Sequence, residues 1–168
     1  MRLAQFQQME TATMLIQRKM RISIVASITH IHAKPLRTLY REIHGHGPVA
    51  GQLPSSGGIL STRTQQATAS IFAALYLRAS QSNVGDQINL EALLSAHDLY
   101  LEVCSNQIRS NLKVEPINIT QAWIIVRDIS IGAAYFRSCQ SCQIRYLLSN
   151  DTHIPPTCPI CALKKRHS

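Results

Sequence analysis

The chain has 168 residues, 45% of them hydrophobic and 5% aromatic, with a net charge of +8. That is material for one ordinary domain plus a small appendage. No apolar run approaches the ~18 residues that span a bilayer, and Arg2, Glu10, Arg18 and Lys19 interrupt the first twenty residues where a secretory signal would be apolar. Both features predict a soluble, cytoplasmic protein.

The charge is uneven. Residues 1–50 hold seven Lys/Arg against two acids, residues 51–130 five against six, and residues 131–168 five against one. Two basic ends around a near-neutral middle suit a polyanion held at two surfaces. With so few aromatics for stacking on single strands, duplex backbone is the expected target.

Taken in chain order, residues 3–20 read as a helix. Leu3, Phe6, Met9, Ala12, Met14, Ile16 and Met20 recur at helical spacing. The stripe reads as core-facing, with a partner-docking surface as the alternative. Residues 21–43 read as a helix-turn-helix, with a plain helical hairpin as the alternative. Ser23 caps a short helix through Ile28, Thr29-His30-Ile31 makes the turn, and a second helix runs from Ala33 to Ile43. Leu36, Leu39, Tyr40 and Ile43 form its apolar face, leaving Lys34, Arg37, Thr38 and Arg41 outside, where a recognition helix meets the major groove. Pro35 is tolerated in the first turn, whose N–H groups lack intrahelical acceptors.

Residues 44–60 are rich in Gly, Pro and Ser and read as an extended connector, with His44 and His46 solvated. Helix returns over 61–80, capped by Ser61 or Thr62, with Ala67, Ile71, Ala74, Leu75 and Leu77 as its apolar positions. A loop around Gly85 follows. Asn89 caps a helix from Leu90 to Val103, with Leu93, Leu94, His97, Tyr100 and Leu101 near one face and Cys104 buried at its end. His97 and Asp98 are helix neighbours and do not face each other, so they suggest no acid–base pair. A polar connector over 105–117 leads to a helix starting at Asn118 or Thr120 and running to Ala134. Its stripe is Ala122, Trp123, Val126, Ile129 and Ala133, with Trp123 anchoring the core.

The last segment is the most specific. Cys139-x-x-Cys142 and Cys158-x-x-Cys161 are two knuckles separated by fifteen residues. This is the spacing of a four-thiolate zinc site, closed and structural, with no open position for catalysis. Two disulfides are the alternative and belong to oxidising compartments. Tyr135–Ser138 and Ile144–Leu148 form short strands around the first knuckle, and Pro155, Pro156 and Pro159 keep the second extended. Arg145, Lys164, Lys165 and Arg166 place positive charge beside it. One dithiol in a βαβ setting would suggest redox work, and a three-ligand zinc with a general base would suggest hydrolysis. Neither pattern is present, so the chain reads as a non-enzyme.

The fold expected is mainly α: a helical DNA- and partner-binding domain over 1–134, helix-turn-helix-like at its start, and a small four-cysteine, zinc-ribbon-like module with a basic tail over 135–168. Candidate DNA contacts are Lys34, Arg37, Arg41, Arg145, Lys164, Lys165 and Arg166. A zinc-stabilised protein-interaction module without direct DNA binding is the alternative function.

Several stretches together resemble the FlhC family, the zinc-containing subunit of the bacterial flagellar master transcriptional activator. They are Leu36-Arg-Thr-Leu-Tyr-Arg-Glu-Ile43 with Gly45 and the connector to Pro54, Ala96-His-Asp-Leu-Tyr-Leu-Glu102, Thr120-Gln-Ala-Trp-Ile-Ile-Val-Arg127, and the four cysteines. The resemblance implies a transcriptional activator that works as a heterohexamer with a helical FlhD subunit, binds promoters of flagellar operons as double-stranded DNA and recruits RNA polymerase. It also implies Cys139, Cys142, Cys158 and Cys161 as ligands of one Zn²⁺ per chain.

Overall fold

The computed structural model describes residues 2–81, 88–108 and 115–166, with the backbone only at 106–108 and 166. The loop expected around Gly85, the middle of the connector before Pro116, and His167 lie outside these residues. The fold is mainly helical, and the chain divides into two compact units at Leu53/Pro54.

The first unit holds α1 (Leu3–Gln17), α2 (Ile22–Thr29) and α3 (Ala33–His44). The stripe of α1 is split. Ala12, Leu15, Ile16 and the following Met20 are fully buried, while Leu3, Phe6 and Met9 stay exposed. Helix α2 carries five apolar residues among eight and buries Ile22, Ile24 and Val25. It starts one residue before the expected cap. Arg21 is the N-cap and makes no side-chain cap bond, and Ser23 lies inside the first turn.

The turn falls where the sequence places it. His30 adopts φ +57°, a left-handed conformation that histidine tolerates better than most non-glycine residues. Thr29 Oγ1 donates to Val25 O at 2.8 Å. In α3, Leu36 and Tyr40 are buried, Leu39 and Ile43 half-buried, and Lys34, Arg37, Thr38 and Arg41 exposed. Gly45 at φ +71° ends the helix, its N–H bonded to Arg41 O at 2.8 Å. A contact of 2.8 Å between His44 Nε2 and Ile16 O ties α3 back to α1.

The second unit holds α4 (Ser56–Ile59), α5 (Arg63–Ala79), α6 (Leu90–Ile108), α7 (Ile119–Ser130), β1 (Ala134–Ser138), β2 (Arg145–Ser149) and α8 (Pro159–Arg166). The boundary anticipated between 134 and 135 falls inside it, because β2 and α8 pack on α5. The connector before α5 is not wholly extended. Ser55 accepts from Gly58 N at 3.1 Å and caps the one-turn α4.

Thr62 and Asn118 cap α5 and α7, each accepting from the backbone N–H three residues on, and Asn89 accepts from Ala92 N ahead of α6. Helix α6 continues past Val103 to Ile108. Helix α7 stops four residues short of Ala134, because Gly132 at φ +74° turns the chain into β1. Its core residues are Ile119, Ala122, Ile124, Ile125 and Val126. Trp123 is only half-buried, with the Arg127 guanidinium 5.4 Å from its ring centre. Helix α5 also turns another face inward, burying Phe72, Ala73 and Tyr76. His97 is buried, with Nε2 3.0 Å from Ile117 O.

Candidate metal centre

Strands β1 and β2 pair antiparallel, from Ala134 opposite Ser149 to Ser138 opposite Arg145. The first knuckle lies in the turn that joins them, beyond the Ser138–Arg145 pair. Cys139 N donates to Ile144 O at 3.0 Å, and Gln143 N donates to Cys139 O at 2.9 Å. Gln143 takes the left-handed position at φ +61°. The second knuckle corrects the expectation of an extended segment. Pro159 opens α8, so Cys158 precedes the helix and Cys161 sits in its first turn. Proline suits a first turn because its missing N–H has no intrahelical acceptor there.

These elements bring the four sulfurs together. Cys139 Sγ lies 3.7 Å from Cys161 Sγ, Cys142 Sγ lies 3.6 Å from Cys158 Sγ, and all four fall within 4.8 Å of one another. Zinc–sulfur bonds of about 2.3 Å in a tetrahedron put sulfurs about 3.8 Å apart. A disulfide needs about 2.05 Å, and all five cysteines are free thiols. The donor set and its spacing therefore fit one tetrahedral, thiophilic metal ion. Tyr146, Leu148 and Ile160 pack around the cysteines and shield them on one side.

The thiols are electrostatically unequal. Backbone N–H groups of Cys142 and Ser141 directed at Cys139 hold its pKa down to about 6. Hydrogen bonding to the Cys142 and Cys139 sulfurs, with burial adding, pushes Cys161 up to about 12. Burial raises Cys158. Without a cation, the backbone N–H groups directed at Cys139 favour its thiolate. A bound divalent ion releases the remaining protons.

Helix α5 supports the module through residues far away in sequence. Leu147 N donates to Ser70 Oγ at 2.8 Å, and Gln66 Nε2 donates to Leu147 O at 2.9 Å. Ser70 Oγ in turn donates to Gln66 O at 2.6 Å. The outward-facing peptide groups of Leu147 are thus satisfied by two buried polar side chains, as a buried strand edge requires. Arg63 donates to Thr157 O at 2.8 Å and Thr157 Oγ1 at 2.5 Å, and Tyr146 Oη donates to Pro156 O at 3.0 Å, fixing the approach to the second knuckle.

Beyond β2, Asp151 Oδ1 accepts from Gly57 N at 2.9 Å, Ser56 Oγ at 3.3 Å and Ser149 Oγ. The Ser149 hydroxyl is the main reason its carboxyl sits below the usual range. No sequence spacing links Gln66, Ser70, Gly57 or Arg63 to the cysteines. The one visible hint was polar residues on the inward side of an otherwise apolar helix.

The expected DNA-contact residues are shared between the two units. Lys34, Arg37 and Arg41 are exposed on α3 in the first unit. Lys164 and Lys165 are exposed on α8 in the second, where Lys165 and Arg137 line an open cleft of about 770 Å³ beside the cysteines. Arg145 is exposed at the start of β2, its guanidinium 5.1 Å from the centre of the Phe136 ring. The side chain of Arg166 lies outside the described residues. Among the described residues no helix is long and apolar enough to cross a membrane.

The model of the flagellar transcriptional activator family FlhC matches residues 2–168. The chain is 27% identical to the flagellar transcriptional regulator FlhC of Enterobacter cloacae subsp. cloacae over 165 residues, 98% of this chain and 84% of that one. It is 29% identical to the FlhC of Gallionella capsiferriformans over 161 residues, 95% of this chain and 85% of that one. With the FlhC of Serratia marcescens it shares 30% over 154 residues, 92% of this chain and 76% of that one. A match spanning nearly every residue, over a helical chain that gathers four cysteines at its end, places this protein in the FlhC family of flagellar transcriptional regulators.

Proposed function

We propose that the chain is the DNA-binding subunit of a transcriptional activator. With an FlhD-like helical partner it binds promoters of flagellar operons as duplex DNA and activates transcription through RNA polymerase. The family match over residues 2–168 carries this reading. Its role is binding, and we assign it no catalysis. Cys139, Cys142, Cys158 and Cys161 hold one Zn²⁺ per chain, which stabilises a two-stranded ribbon too small to form a core alone.

Lys34, Arg37 and Arg41 project from the second helix of a helix-turn-helix-like pair, the position from which such helices enter the major groove. Lys164, Lys165 and Arg166, beside the metal centre, meet phosphates. The remaining expected contact, Arg145, borders a groove and is considered below.

The test is co-expression with the FlhD-like partner, metal analysis of the purified complex, and a DNA mobility shift titrated with salt. Affinity should fall steeply with salt, because each neutralised phosphate releases counterion. A complex that contains zinc yet ignores promoter DNA at low ionic strength would instead establish a protein-interaction module.

A further inference from the structure

The face of α5 that periodicity marks as apolar is open over its second half, beyond the buried Ala67. Phe72, Ala73 and Tyr76 turn into the core, whereas Ile71 and Leu75 are half-buried and Ala74 is exposed. With Ala67, Ser70 and Arg78 they follow one another at three- and four-residue spacings along a single helix face. This stripe is one wall of an open groove of about 350 Å³. The facing wall includes Ile144, which is 43% exposed, and Ile160 at the start of α8. Two charged residues line the groove, Arg78 and Arg145, and both are positive and exposed.

We propose that this groove docks an acidic, amphipathic segment of a partner protein, laid along α5. The length points to a segment rather than a compact ligand. From residue 71 to residue 78 a helix rises about 10 Å, two turns of a neighbouring helix. The small, exposed side chain at Ala74 lets a neighbour approach closely, since interaxial distance follows the side chains at the contact. Ile71, Leu75, Ile144 and Ile160 supply the apolar anchoring sites of a helix-in-groove contact.

Arg78 and Arg145 select carboxylates, which guanidinium groups bind in a two-pronged geometry. Arg145 is held at the rim by its contact with Phe136. Duplex DNA presents phosphate and sugar and would leave the apolar wall uncovered. A second copy of this chain, at net charge +8, carries the wrong sign for a positive groove. The inference is independent of DNA binding and survives its failure.

The test uses the full chain in its purified complex and two labelled synthetic helical peptides. Both carry leucines at i, i+3, i+4 and i+7; one is flanked by glutamates, the other by lysines. The acidic peptide should bind saturably, about tenfold or more tighter than the basic one. Ala74→Glu places a carboxylate in the groove and Arg78→Glu reverses its rim, both at exposed positions. Each should weaken the acidic peptide about fivefold or more, with helicity, melting and DNA shift unchanged. A photo-crosslinker at position 74 of the assembled complex in cells should join an acidic amphipathic segment of another protein. Equal affinity for the two peptides would overturn the proposal, as would binding indifferent to Ala74→Glu. A crosslink to DNA or to another copy of this chain, or no crosslink, overturns it equally.

Discussion

The contact between α4 and the residues after β2 makes a sharp stability prediction, because two adjacent glycines stand in opposite surroundings. A Cβ added to Gly57 would lie 2.4 Å from the carbonyl oxygen of Asp151 and 2.7 Å from its carbonyl carbon. The obstacle is backbone, so no rotamer change relieves it. Either α4 or the turn at Asp151 must move by about an ångström, an overpacking cost of about 1–3 kcal/mol. The same movement stretches the 2.9 Å bond from Gly57 N to Asp151. That bond adds about 0.5–1 kcal/mol once discounted for the exposure of the carboxylate.

A Cβ on Gly58 meets only Ser55 Oγ at 3.5 Å, an ordinary contact. Replacing that helical glycine by alanine should gain about 0.5–1 kcal/mol through the unfolded chain. Gly57→Ala should therefore lower stability by about 1–3 kcal/mol, while Gly58→Ala leaves it equal or raised. Urea unfolding of both variants at fixed zinc concentration, followed by circular dichroism, measures the difference. If Gly57→Ala proves as stable as Gly58→Ala, the packing of α4 against the Asp151 turn is wrong.

Other expectations concern the metal, the ribbon, the carboxylate and the recognition helix. Cys142→Ser or Cys158→Ser should reduce bound zinc from about one per chain to near zero and expose the ribbon to protease, as chelator should in the wild type; plasma emission and limited proteolysis read both. Ser70→Ala leaves the buried Leu147 N–H without its acceptor and should cost about 1–3 kcal/mol in urea unfolding. Asp151 has a depressed pKa when folded, so its contribution is present above the unfolded carboxylate value of about 3.9 and disappears as pH falls through the folded value. The stability gap between wild type and Asp151→Asn should thus be full at about pH 7, below about 1 kcal/mol for so exposed a group, and close under acid. Replacing Arg37 by Ala should flatten the salt dependence of DNA affinity by about one counterion, as read by mobility shift.

The local grammar of the chain was legible. Thr62, Asn89 and Asn118 sit where side-chain caps belong, and Gly45 sits where a helix ends. Apolar spacing located every long helix, and the two Cys-x-x-Cys pairs named the four sulfurs that come together. These features act over a few residues, so a linear pattern records them. Misjudged were the end of α7, which Gly132 moves ahead of Ala134, the core role of Trp123, and the form of the second knuckle, where proline starts a helix instead of preventing one.

What only the tertiary structure decided is which of two workable faces each helix buries and what distant groups hold the cysteines in place. Helix α5 has apolar residues on more than one side. Packing buries Phe72 and Tyr76, sets Gln66 and Ser70 against the edge of β2, and leaves Ala74 and Leu75 beside an open groove. Gly57 is required because Asp151, 94 residues later, arrives against it. Spacing along a helix fixes which residues share a face. Only the neighbour that docks there, and the unpaired peptide groups it brings, decides which face turns inward.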